Sequence, residues 1–90
     1  MDKGEFTVYI LLCSDNTLYT GWTNDMTKRI KSHNSGKASK YTRCRLPVAL
    51  YHTEEFDTKQ GAMSREYAIK RMSRKSKLKL ANPRSVATPP

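Results

Sequence analysis

The chain has 90 residues, 37% of them hydrophobic and 28% charged, which suits one small folded domain and leaves no room for two independent cores. Its 17 lysines and arginines against 8 acids give a formal net charge of +9, so the first partner to consider is a polyanion, nucleic acid before a membrane surface. The longest unbroken apolar run, Val8 to Cys13, is too short for a transmembrane helix, no segment of signal-peptide length precedes it, and two cysteines suit a reduced, cytoplasmic protein.

Phe6 to Cys13 is rich in β-branched and aromatic residues and reads as a strand. Ser14-Asp15-Asn16-Thr17 is turn chemistry, and Leu18 to Thr23 reads as the returning strand of a hairpin. Asn24 or Asp25 caps a helix that begins near Met26 and stops by Asn34-Ser35-Gly36. Residues 36–46 read as a basic loop. Pro47 opens a third strand, Val48 to about Glu55, with Val48 and Leu50 alternating against Ala49 and Tyr51. Asp57 or Thr58 caps a longer helix through about Met72, whose Ala62, Ile69 and Met72 follow helical spacing. Ser73 caps a final short helix carrying Leu78 and Leu80. The order β-β-α-β-α-α predicts an α+β domain over residues 5–80, a small three-stranded antiparallel sheet flanked by helices. Residues 81–90 hold three prolines and little apolar content and read as a flexible tail.

Charge is unevenly placed along this order. Lys28 to Arg45 holds seven bases and no acid, and Arg65 to Lys79 holds seven bases and one acid, Glu66. If the fold joins these segments they make a positive surface; the plainer alternative is two solvated helix faces. Glu66 lies about 40° from Ala62 and about 60° from Ile69 on a helical wheel, so it borders the buried face. It is either an ion-pair partner for Arg65 or Lys70, or a carboxylate held among bases to bind a hard divalent cation beside a phosphate. Arg29 and His33 share one helix face, and Asp25 stands four residues before Arg29, the spacing of an ordinary surface ion pair. Tyr9 and Tyr19 come near each other across the hairpin, on faces whose burial the two-residue period leaves open. Cys13, Cys44, His33 and His52 lack the close pair spacing of a structural zinc site.

Thr7-Val8-Tyr9, then Tyr19-Thr20-Gly21, then Arg29, His33 and Glu66, in that order, resemble the GIY-YIG nuclease domain over about residues 6–80. HNSGKASKYTR and EYAIKRMSR resemble most the small stand-alone bacterial members, a group of uncharacterised function. The resemblance implies metal-dependent cleavage of phosphodiesters in nucleic acid, DNA in preference to RNA, with weak sequence preference. The rival reading is a non-catalytic nucleic-acid-binding module of the same fold. By resemblance Tyr9 is the general base, Tyr19 lines the same site, Arg29 holds the phosphate, and His33 bonds substrate or nucleophile. Glu66 is then the one protein ligand of Mg²⁺ or Mn²⁺. Lys40, Tyr41, Arg43 and Arg45, with Lys70, Arg71 and Arg74, are candidates to face nucleic acid; the partner is not a membrane, and a monomer is expected. The chain departs from the pattern at Thr7, Val8 and Thr20, at Trp22 where many members have lysine, and at Leu78, near where many have asparagine.

Overall fold

A computed structural model describes the backbone of residues 5–87 and the side chains up to Leu80. The elements are β1 (Phe6–Leu12), β2 (Leu18–Thr23), α1 (Met26–Asn34), α2 (Lys40–Arg43), β3 (Ala49–Phe56), α3 (Lys59–Lys70) and α4 (Arg74–Ala87). The sheet is antiparallel with strand order β2-β1-β3. The expected α+β architecture is therefore the one observed.

The central strand explains the layering. β1 is flanked by a strand on each side, and both of its faces are covered. Val8 and Ile10 point to one face and pack with Ala62 and Ile69 of α3, joined by Phe6, Trp22, Tyr51 and Phe56. Tyr9 and Leu11 point to the other face, where Cys13, Val48, Tyr19, Met26 and Ile30 surround them. A two-sided strand must read as a continuous apolar run, which is why Val8 to Cys13 shows no alternation.

Local chemistry sets the element ends. In the hairpin turn the Asp15 carboxylate accepts from the Thr17 backbone N–H at 3.1 Å, and Asn16 takes a positive φ of 72°. Asp25 caps α1 by accepting from the Lys28 N–H at 3.0 Å, and Thr58 caps α3 by accepting from the Gly61 N–H at 3.0 Å. Ser73 accepts from the Ser76 N–H at the start of α4.

Three expectations are corrected in detail. The stretch 36–46 is not all loop, because Ser39 accepts from the Tyr41 and Thr42 N–H groups and starts the single turn α2. The alternation expected along β3 breaks at a bulge: Leu11 pairs with Leu50 and Ile10 with His52, leaving Tyr51 as the extra residue. Leu50 is consequently 48% exposed, while Tyr51 packs against the α3 side. Finally, α4 runs to Ala87, longer than the short helix expected and overlapping the stretch 81–90 read as a tail; residues 88–90 lie outside the described residues. Among the described residues no helix is long and apolar enough to cross a membrane.

Candidate active site

The site lies on the α1 side of the sheet. Pairing of β1 with β2 sets Tyr9 opposite Gly21, with Tyr19 the next residue along β2 on the same face. The Tyr9 ring lies across Gly21 so closely that a Cβ there would stand 2.5 Å from the hydroxyl oxygen. Glycine is required here for close approach, not for its backbone angles.

His33, near the end of α1, reaches down onto this aromatic pair. Its Nε2 is 2.9 Å from the Tyr9 hydroxyl and its Nδ1 is 2.8 Å from the Thr42 hydroxyl of α2. Tyr9, His33 and Thr42 are 2%, 1% and 0% exposed, so the three polar groups satisfy one another away from water. The His33 ring also meets Tyr9 and Tyr19 edge-on, at centroid distances of 5.7 and 5.2 Å.

The electrostatics keep both titrating members neutral. Burial pushes the Tyr9 hydroxyl far above its usual range, helped by Tyr19 and Glu66 and opposed by Arg29. Burial likewise holds His33 below its ordinary value, and the Arg29 charge adds to the effect. Arg29 comes from α1 and Glu66 from α3, and the effect of each on the Tyr9 hydroxyl is smaller than that of burial. Arg29 is half-buried and lines a shallow cavity of about 240 Å³ with Thr23, Asn24, Asp25, Lys28 and Ser32. No ion pair joins it to Asp25 among the described residues. Glu66 borders the core as the helical wheel requires, with its side chain 19% exposed, and pairs with Lys70 at 3.2 Å. Arg65, the other expected partner, instead makes a two-pronged contact with Glu54 of β3.

The bases expected to face nucleic acid divide into two kinds. Lys40, Arg43, Lys70, Arg71 and Arg74 are exposed. Arg45 is engaged within the protein: it pairs with Asp15 at 2.9 Å, donates to the Tyr41 carbonyl at 2.8 Å and lies 3.9 Å over the Tyr41 ring. Tyr41 in turn stacks on Tyr19, so these two residues buttress the site rather than project from it. Lys70 is held by Glu66, and Arg71 packs on the exposed ring of Tyr67. Trp22 alternates to the opposite face, packing on Phe6. Its exchange for lysine therefore bears on the core, not on the Tyr9 ring.

Two residues of the site have no counterpart among those read from the sequence. Thr42 holds His33, and Asn34 clamps Val48 by exchanging two hydrogen bonds with its backbone at 2.8 and 3.1 Å. The only local signal for Thr42 is Ser39 three residues earlier, a cap that starts a helical turn and places Thr42 on its inner side.

Residues 5–79 match the GIY-YIG catalytic domain. A UPF0213 protein of Bacillus velezensis is 53% identical over 77 residues, 86% of this chain and 78% of the relative. One from Halobacterium salinarum is 56% identical over 70 residues, 78% of this chain and 91% of the relative. The solution NMR structure of a UPF0213 protein from Bacillus halodurans superposes with a TM-score of 0.58 at 45% identity, covering 92% of this chain and 93% of that one. That of a protein from E. faecalis gives 0.62 at 36% identity, covering 96% and 93%.

Proposed function

The chain belongs to the GIY-YIG family, and from that membership and the geometry at Tyr9 we propose that it hydrolyses phosphodiester bonds of nucleic acid, with Mg²⁺ or Mn²⁺ as the metal. DNA is the favoured substrate and sequence preference is weak. The observation that carries the reading is the buried Tyr9–His33–Thr42 chain under the electrostatic influence of one arginine and one glutamate.

Each side chain then has a part. Arg29 binds the scissile phosphate and offsets the charge that grows on it. The attacking water gives a proton to the Tyr9 oxygen as Tyr9 passes its own proton to His33 Nε2. The water oxygen forms a new bond to phosphorus and the bond to the leaving oxygen breaks. That oxygen takes a proton from solvent, and His33 returns its proton through Tyr9. A concerted hand-over of this kind suits a phenol whose free phenolate is strongly disfavoured.

Glu66 is the residue to hold the metal. No cluster of three or more His, Cys, Asp or Glu exists among the described residues, which does not suit zinc. A half-buried single carboxylate does suit Mg²⁺, which keeps several waters and completes its shell with substrate phosphate. When bound, such a cation polarises the phosphate and takes up charge on the leaving oxygen. The free thiols of Cys13 and Cys44 support a reducing compartment, the cytoplasm, as the place of action.

The test is nicking of supercoiled plasmid with Mg²⁺ or Mn²⁺. Cleavage is expected to vanish on chelation and in Tyr9→Phe. A second reading, a nucleic-acid-binding module without catalysis, draws on the Lys70–Glu66 ion pair, which occupies the carboxylate. It predicts DNA retention with no nicking under any metal.

A further inference from the structure

The Tyr9–His33–Thr42 chain admits two directions of hydrogen bonding. In one, Thr42 donates to His33 Nδ1 and His33 Nε2–H donates to the Tyr9 oxygen. Tyr9 is then left with its own hydrogen unpaired, since His33 is its hydroxyl's one hydrogen-bond partner among the described residues. In the other, Tyr9 donates to Nε2, Nδ1–H donates to Thr42, and Thr42 donates to the Ser39 carbonyl, a longer contact of 3.4 Å. Only this second direction gives every hydrogen of the chain an acceptor within the protein, and that favours it.

We propose that Thr42 is a positioning residue of the site: its oxygen holds His33 in the Nδ1–H tautomer and so aims the Tyr9 proton at His33. The part it plays in turnover rests on the hydrolytic reading above; the tautomer itself does not. The reverse tautomer would place a His33 hydrogen on the Tyr9 oxygen. Nε2 would then be no acceptor, and Tyr9, on taking a proton from water, would have nowhere to send its own. The single turn α2, begun by the Ser39 cap, is what brings Thr42 to the ring. α2 thus belongs to the site through the tautomer it selects.

Thr42→Val keeps the side-chain shape and removes the acceptor. With methyl groups facing Nδ1, an N–H there is left without a partner. The ring escapes by carrying its hydrogen on Nε2, where the Tyr9 oxygen accepts it. Long-range ¹H–¹⁵N spectra of the imidazoles at neutral pH read this directly on the full chain, which has only two histidines. The parent is expected to show His33 protonated at Nδ1 with Nε2 as a bare acceptor. Thr42→Val is expected to show the Nε2–H form, with kcat for plasmid nicking lower by about a hundredfold and KM unchanged. Thr42→Ser, which keeps the oxygen, is expected to restore both. A parent with His33 protonated at Nε2, or a folded Thr42→Val with the parent's tautomer, would overturn the proposal. A parent with the expected tautomer that nicks no DNA upholds the tautomer lock and removes the hydrolytic reading instead.

Discussion

Gly21 and Tyr9 share one small space, and the consequences belong to single atoms. A methyl group at position 21 would meet the Tyr9 hydroxyl at 2.5 Å and its ring carbon at 2.7 Å. The ring is wedged among Leu11, Tyr19 and His33 and has little freedom to retreat. Gly21→Ala is therefore expected to cost about 1–3 kcal/mol, an overpacking penalty, and to displace the Tyr9 oxygen from His33. Thermal melting beside plasmid nicking checks both effects, and a variant that melts and cleaves like the parent would show that the ring can move aside. His33 supplies a second test. Its native pKa lies below the ordinary 6.5, so the unfolded chain takes up a proton that the native site refuses. The stability this confers is fully present above pH 6.5 and is lost as pH falls through that value toward the lower native one. Melting temperatures of the parent should fall between pH 7 and pH 5, and those of His33→Gln should fall less over the same window. Parallel curves would mean that His33 carries no such linkage.

Between elements, the contact that most clearly ties helix to sheet is Glu54 of β3 with Arg65 of α3. Two hydrogen bonds of 2.8 and 3.1 Å join them, and His52 adds a third at 2.8 Å. The Arg65 bonds, with His52 assisting against partial burial, hold the Glu54 carboxyl below its usual range. Its stabilising effect is present above the ordinary carboxylate pKa and is lost as pH falls through the native value. Glu54→Gln is expected to lose about 1 kcal/mol near neutral pH and less in acid. A difference in melting temperature that persists undiminished to pH 3 would contradict this. At this scale the sequence was legible wherever short-range chemistry decides. Asp25, Thr58 and Ser73 cap as their residue types suggest, and the wheel set Glu66 at the core's border. It was not legible where two distant segments decide. The bulge at Tyr51 follows from how β3 lies against β1 and α4, where the Tyr51 hydroxyl donates to the Leu78 carbonyl at 2.8 Å. α2 has four residues, too few to show a period, and Thr42 between Tyr41 and Arg43 looks like surface until His33 arrives beside it. Arg45 is indistinguishable in sequence from a phosphate contact, yet Asp15 and Tyr41 hold it.

For the whole molecule, a net charge of +9 makes any contact with nucleic acid mainly electrostatic. If about five phosphates are neutralised, log K against log[salt] has a slope of about −4.5 for duplex DNA. A slope near zero in a fluorescence anisotropy titration would refute the basic surface as the binding face. The hydrolytic reading turns on Glu66, and one sample tests it most directly: Glu66→Gln, melted and then assayed for plasmid nicking and for DNA affinity in chelator. The substitution keeps the side-chain shape and removes the charge proposed to hold the metal. The expected result is a folded protein that binds DNA without metal as well as the parent or better, since a negative charge has left a basic surface, and that no longer cleaves. A well-folded Glu66→Gln that nicks as fast as the parent would contradict it.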